Sequence, residues 1–458
     1  VFDLESLWAA RGADAPDLLE SHINPAMAKV LRILGYDIRY VRGRGAYLWD
    51  DKDNRYIDCL GGYAVFNVGR NHPVVRNTLK QAMDMDLPNL VKMGVPALSG
   101  LLAEQLIELA PGELDTVFFT NSGAEGVETA IKYARAATGR DRIVYSKKGF
   151  HGLTLGALSV NGAEEFREGF GRLLEPAAAV PFNDLVALEA QLSQNDVAGF
   201  IVEPIQGKGV NMPDDTYLPA AAELCKKYDT LLIVDEVQTG FGRTGKWFAC
   251  EHWGVEPDIM VLAKGLSGGY VPVGAVLSKR VIHKKVFSSL DRCVVHSTTF
   301  GQNDLAMAAG LASLHVLREE KLVENADKMG RRLMEGLQAL TARYDMLYEV
   351  RGKGLMVALE FGPPASMKLK MGWSLLHKLD QSLFCQAILI PLLADHHILA
   401  QVAGHHIDVI KLIPPLVLCE QDVDDIISAF DKVIADCHRF PGPVWEVGKR
   451  LSGNAIRS

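Results

Sequence analysis

An α/β architecture is predicted for this chain of 458 residues: a large, mostly parallel sheet covered by helices on both faces, followed by a smaller α+β domain. Two observations predict it. Between residues 97 and 317, strand-length runs that are apolar on both faces alternate with helical stretches, as strands sandwiched between helices require. Polar residues also gather at or just beyond the C-terminal ends of those strands, namely Ser122, Glu203, Asp235 and Lys264. That edge is where open α/β sheets hold ligands.

The elements follow in order. Residues 17–34 are apolar at helical spacing and are stopped by Gly35. Strand patterns at 46–49 and 56–58 flank a polar turn and read as a hairpin, with Asn54 suited to its left-handed position. Pro73 marks a helix start, because proline is tolerated in a first turn. A helix over 98–109 ends at Pro111-Gly112, and a strand over 116–119 runs into Asn121-Ser122-Gly123-Ala124, where another helix opens. Strands at 142–145, 199–202, 231–234, 258–263 and 274–277 follow, then a helix over 304–317. Beyond it come a charged amphipathic helix (321–340), strands at 347–350 and 355–359, a helix near 373–387, a strand at 409–411 and a helix over 422–435. The expected organisation is an N-terminal segment over 1–75 packing with the small domain, a large domain over 76–317 and a small domain over 318–458. Residues 441–458 lack periodicity and read as a loosely held tail.

Composition narrows the function classes. A net charge of -8 with no long basic run argues against nucleic acid or an anionic membrane as partner. No apolar stretch is long and clean enough to span a bilayer, and no signal-peptide pattern opens the chain. The seven cysteines are scattered without C-x-x-C spacing and read as reduced thiols of a cytoplasmic protein. The chain begins at Val1 without Met, as either a trimmed chain or a segment of a longer protein would. The pairs His396-His397 and His405-His406 invite a metal reading, but neighbours on a strand point to opposite faces, so no metal is expected.

Lys264 is the residue around which the chemistry is read. It follows an apolar strand and opens the turn Gly265-Leu266-Ser267-Gly268-Gly269, which suits an amine held in a pocket. Asp235 ends the neighbouring strand pattern. A strand-end lysine paired with a strand-end carboxylate points to pyridoxal 5'-phosphate carried on Lys264 as a Schiff base. In that chemistry the aspartate keeps the pyridine nitrogen protonated and the lysine serves as general base. Ser122-Gly123-Ala124, at a helix start, offers unsatisfied N–H groups and the positive end of a helix dipole to a phosphate. In Phe150-His151-Gly152 an aromatic follows the next strand, able to stack on a flat heterocycle.

The run Leu232-Ile233-Val234-Asp235-Glu236-Val237-Gln238-Thr239-Gly240-Phe241-Gly242-Arg243-Thr244-Gly245, followed by Asp258-Ile259-Met260-Val261-Leu262-Ala263-Lys264, resembles the signature of class III aminotransferases. The resemblance extends from about Asn24 to about Ala435. It implies fold type I, with a seven-stranded sheet in the large domain. It further implies that Ser122, Gly123 and Ala124 bind the cofactor's phosphate, that Phe150 stacks on its ring with His151 beside it, and that Glu203 lies near the ring and the Asp235 network. Gln238 would hydrogen-bond the ring hydroxyl. His296-Ser297-Thr298-Thr299-Phe300-Gly301 resembles the segment that crosses a dimer interface, so Thr299 would reach the phosphate of the partner subunit in a homodimer with shared active sites.

Within the class, Ile57-Asp58-Cys59-Leu60-Gly61-Gly62-Tyr63 is most similar to putrescine aminotransferases, with ornithine aminotransferases next, and Tyr63 falls at a substrate-side aromatic. Two positions depart from the ornithine and 4-aminobutyrate enzymes. Lys411 replaces the arginine that holds a substrate carboxylate, and Lys208 replaces the glutamate that pairs with it. Lysine lacks the planar bidentate fork, and two lysines cannot pair. The expected activity is therefore transfer of an amino group between a primary amine (a diamine or other terminal amine, or in reverse its aldehyde or ketone) and a 2-oxo acid. A PLP-dependent aminomutase or epimerase, an ornithine or 4-aminobutyrate type of aminotransferase, and a non-catalytic binding protein of the same fold are the competing readings. Gly301-Gln302-Asn303-Asp304 replaces the usual Gly-Gly-Asn-Pro.

Overall fold

The computed structural model describes residues 2–377, 383–405, 407–439 and 442. His406, the middle of the helix expected over 373–387, and all but one residue of the expected tail lie outside the described residues.

The chain opens with helices Leu4–Arg11 and Ala15–Leu18 and a π-helical turn over Leu19–Ile23. The single helix expected over 17–34 is broken at Asn24, which is extended (φ -155, ψ 95) because a residue before proline is pushed out of the helical region. Its side chain caps the next helix, Pro25–Leu34, by accepting from the Met27 N–H at 3.0 Å. Strands β1 (Tyr40–Arg44), β2 (Tyr47–Asp50) and β3 (Arg55–Asp58) form an antiparallel meander. In the β2–β3 turn the left-handed residue is Asp53 (φ 62) and not Asn54. The Asp50 carboxylate accepts from the N–H groups of Lys52 and Asn54 and from the Asn54 side chain, which fixes Asn54 in place and shifts the left-handed position back by one.

The large sheet contains β4 (Thr116–Thr120), β5 (Arg142–Ser146), β6 (Ala177–Val180), β7 (Val197–Val202), β8 (Leu231–Asp235), β9 (Ile259–Leu262) and β10 (Gly274–Ser278). Its order is β4-β10-β9-β8-β7-β5-β6, parallel except at β10, which runs antiparallel to both β4 and β9. The link from β9 to β10 is shorter than the crossover a parallel return needs, which accounts for the reversal. Alternate side chains feed two separate cores. On β7 and β8, Ile201 and Ile233 pack with Val127, Ile131 and Tyr133 of the helix Gly123–Thr138. Phe200, Val202, Leu232 and Val234 pack on the opposite face with Leu188 of the helix Leu185–Leu192 and with Tyr217, Leu218 and Cys225 of the helix Tyr217–Lys227. Burial on both faces makes each of these strands expensive to disturb; truncating fully buried Phe200 to alanine would cost about 3–5 kcal/mol.

The C-terminal part adds helices Asp304–Glu319 and Leu322–Thr341, and strands β11 (Leu347–Lys353) and β12 (Met356–Phe361). Helices Met367–His377 and Leu383–Ala394 follow, then β13 (Ile398–Leu399), β14 (Gln401–Val402), β15 (Val409–Leu412) and the helix Glu420–Cys437. Here the sheet order is β11-β12-β15-β14, while β13 pairs in parallel with β3 and so joins the two ends of the chain. Arg243, wholly buried, ties these parts together by donating to Leu355 O (2.9 Å), Pro414 O and Asn67 Oδ1 (2.7 Å). Among the described residues no helix is long and apolar enough to cross a membrane.

Candidate active site

The parallel strands deliver their C-terminal ends to one edge. Four fully buried residues of β9 precede Ala263 (φ -164, ψ -138), and Lys264 follows at φ 40, a left-handed value that costs a non-glycine residue about 1–3 kcal/mol unless its surroundings impose it. Burial lowers the pKa of its amine, while the negative charges of Asp235 and Glu203 work the other way without restoring the ordinary value. Among the described residues its Nζ has no hydrogen-bond or ion-pair partner.

Asp235 closes β8 and is 4% exposed. Its Oδ2 accepts from His151 Nδ1 at 2.7 Å, and its Oδ1 from the Val237 N–H at 3.0 Å. A carboxylate only accepts, so the proton of this pair sits on Nδ1. Burial works against the His151 cation, but the hydrogen bond and charge of Asp235, with Glu203 behind, leave its pKa above the ordinary value. Glu203 follows β7 with both oxygens occupied, one by the Phe150 N–H (2.9 Å) and the other by the Gly207 N–H (2.7 Å). Burial pushes its carboxyl pKa up. Glu203 thus holds the backbone of Phe150, while His151, the next residue, braces Asp235.

Ser122 caps the helix Gly123–Thr138, its Oγ accepting from the Glu125 N–H at 3.2 Å. The N–H groups of Gly123 and Ala124 meet no acceptor among the described residues. A side chain at Gly123 would bring its Cβ to 3.0 Å from Val237, so any larger residue would press this helix end against the turn after Asp235. A second carboxylate supports the arrangement. Glu128, on the same helix, accepts from the N–H groups of Gly156 (2.9 Å) and Ala157 (3.2 Å) and from Thr154 Oγ1 (2.7 Å), fixing the segment after Gly152.

Gln238 is shared between two neighbours: its Nε2 donates to Tyr63 O (3.3 Å) and its Oε1 accepts from Lys411 Nζ (3.3 Å). Tyr63 is 55% exposed and lies in a run of positive φ from Gly61 to Ala64. Lys411 on β15 is 5% exposed and donates to Gly207 O at 2.7 Å. Burial, then the charges of Lys264, Lys208 and Arg243, push its pKa down to about 7 against the pull of Glu203. Lys208 turns away from Lys411 and donates to Glu165 Oε1 at 2.6 Å. Glu165 and Phe166 went unmarked in the sequence, where Glu164-Glu165-Phe166-Arg167-Glu168 is an acidic loop without period. Thr299 is exposed, and the adjacent Thr298 accepts from Asn121 Nδ2 at 2.8 Å. No group of three or more His, Cys, Asp or Glu able to hold a metal occurs among the described residues.

A buried lysine with an unpartnered amine, a braced carboxylate on the adjoining strand and a helix end with free N–H groups are then matched by the comparisons. The family model for class-III aminotransferases matches residues 33–434. The chain belongs to the class III aminotransferases. It is 36% identical to the aminotransferase PigE of Serratia sp. over 93% of this chain and 54% of that one, so it spans about half the length of that relative. It is 41% identical to the putrescine aminotransferase of Pectobacterium atrosepticum over 77% of this chain and 78% of that one. The ornithine aminotransferase structure from Toxoplasma gondii superposes with a TM-score of 0.78 at 29% identity, covering 89% of this chain and 94% of that one. Class III aminotransferases are fold type I pyridoxal-phosphate enzymes, and the donor set of this edge fits that group. Lys264 offers an amine with no other partner, Asp235 a carboxylate braced from behind, and Gly123 and Ala124 two N–H groups without acceptors.

Proposed function

We propose that this chain is a transaminase that exchanges an amino group between a primary amine and a 2-oxo acid, and that the preferred amine, a diamine or other terminal amine, carries no carboxylate. The observation that carries the reading is Lys264, whose amine has no other partner and stands on the sheet edge that also presents Asp235. Pyridoxal phosphate, when bound, supplies an electrophilic carbonyl and an electron-withdrawing ring.

The chain's own residues do the rest. Ser122, Gly123 and Ala124 would hold the phosphate, and Phe150, whose backbone Glu203 fixes, would cover the ring and exclude water. Asp235, braced by His151, would keep a proton on the pyridine nitrogen. Lys264, its amine pKa lowered by burial, would take and return the proton at the reacting carbon. Gln238, its carbonyl end occupied by Lys411 and one N–H given to Tyr63 O, would turn its other amide N–H toward the ring hydroxyl.

Two features support the amine preference. Lys411 is committed to Gly207 O and Gln238, and Lys208 to Glu165, so neither offers the bidentate fork with which an arginine grips a carboxylate. The reverse direction, amination of an aldehyde or ketone, uses the same groups. A homodimer that brings Thr299 to the partner's phosphate site is part of the proposal. Large apolar side chains are left exposed on or near that segment in sequence (Leu290, Val294 and Phe300) and near Lys92, which donates to Thr298 O (Met93 and Val95), and such contact would cover them. A cytoplasmic setting and the division into 1–75, 76–317 and 318–458 complete it.

The test is a panel of amines and 2-oxo acids followed through the cofactor's absorbance in each half-reaction. Putrescine and simple amines should convert the cofactor faster than ornithine or 4-aminobutyrate, and the opposite order removes the amine preference. Sedimentation at working concentration checks the dimer.

A further inference from the structure

A second charged cluster, Glu165 with Lys208 and His405, gathers around the Phe166 ring beside Phe150. The turn Glu164–Phe166 sets the Phe166 ring 5.3 Å from that of Phe150, edge to face. Lys208 Nζ lies 4.0 Å over the Phe166 ring while donating to Glu165 Oε1. His405 brings Nδ1 to 3.6 Å from the same oxygen and its ring against Phe166. Oε2 of Glu165 accepts from no other described residue, and the side chain keeps 38% exposure against 18% for Lys208. One carboxylate oxygen is thus anchored and the other left for an incoming donor.

The other acids of the site have no such capacity. Asp235 is spent on His151 and Val237, and Glu203 on Phe150 and Gly207. Burial works against ionisation of Glu165, but the Lys208 hydrogen bond, its own backbone N–H and the charges of Lys208 and His405 hold its pKa below the ordinary range, so it is a carboxylate at neutral pH. The next residue, Phe166, has its ring against that of Phe150, an apolar lining that suits a short methylene chain ending in a cation.

We propose that Glu165 is a specificity-determining residue, steered by Lys208, whose free oxygen accepts the distal ammonium of a diamine while the other amine reacts at Lys264. Lys208 has two effects in this arrangement: it orients the carboxylate, and its charge competes with the substrate for it. The pair therefore sets how strongly a diamine is preferred over a monoamine of the same length.

This rests on the transaminase reading, and the experiment separates the two. Specificity constants for putrescine and for butylamine are measured with one 2-oxo acid in the holoenzyme, in Glu165→Gln and in Lys208→Gln, with bound cofactor checked by absorbance and the fold by circular dichroism. Glu165→Gln should lower the putrescine-to-butylamine ratio about tenfold, chiefly through KM, the loss of one charge-assisted hydrogen bond at a partly exposed site. Lys208→Gln should raise the ratio. An unchanged ratio in Glu165→Gln, including equal losses for both amines, overturns the proposal in favour of a loop latch, as does a fall of the ratio in both variants. A wild-type holoenzyme that converts neither amine removes the transaminase reading and this proposal with it.

Discussion

The cofactor edge and the substrate side of this site are built on opposite principles. At the cofactor edge each acid is matched from within the chain: Asp235 by His151 and Val237, Glu203 by Phe150 and Gly207, both almost wholly buried. On the substrate side, Lys208 pairs with Glu165, a partly exposed carboxylate, Lys411 is held by Gly207 O and Gln238, and Tyr63 is exposed. A buried carboxylate with both oxygens matched is fixed in one geometry, because each unmet polar group there costs about 1–3 kcal/mol. A partly exposed ion pair is worth about 0–1 kcal/mol and can be exchanged for a ligand. The first region suits a resident group held the same way in every turnover, the second a substrate that must enter and leave.

The contrast breaks most severely at Lys264. Lys264→Ala should cut transamination by at least about 10⁴-fold, since one side chain is both the point of cofactor attachment and the base. The visible absorbance of lysine-bound cofactor should disappear with it; persistence of that band would reassign the attachment site. Next comes Asp235→Asn. The amide keeps shape and can still meet His151, so cofactor content should hold while kcat falls about 10²–10³-fold with the loss of the charge facing the pyridine nitrogen. A variant that instead loses cofactor with unchanged kcat would make Asp235 a binding residue only.

The two regions also differ in how far the sequence reveals them. Ser122, Glu203, Asp235 and Lys264 are legible because each ends a run that is apolar on both faces; a polar residue there has only the sheet edge to occupy. The doubly buried strands were legible for the same reason. Strand β6 was not, since Ala177-Ala178-Ala179-Val180 carries almost no β-branched or aromatic signal and is held by its pairing with β5. On the substrate side, Lys208 and Lys411 stood out only by departing from a resemblance, and their partners could not be read. Glu165 lies 43 residues from Lys208 in an acidic loop, and β15 gives no sign that Lys411 is buried with its three strand neighbours. Periodicity reports which face of an element is apolar; it does not report which two loops meet.

The smallest effect on activity is expected at Lys411, where the boundary between the regions can be read from stability. In the unfolded chain this amine titrates near the ordinary lysine value of about 10.4, and in the folded protein at about 7. Between those values the unfolded state binds the proton and the native state does not, so the wild type gains stability as pH rises through that window. Below it both states are protonated, and the full cost of the buried cation is present. Lys411→Met keeps the length and apolar stem without the charge. The stability difference, wild type minus variant, should therefore rise by about 1.4 kcal/mol per pH unit from near neutrality toward pH 10, and level off below pH 7. Denaturant midpoints of the two proteins across that range measure it. Activity should fall only several-fold, through Gln238, which loses one of its two partners. A pH-independent difference would mean that Lys411 stays charged in the folded protein, and the excess of positive charge on the substrate side would then be available to a carboxylate after all.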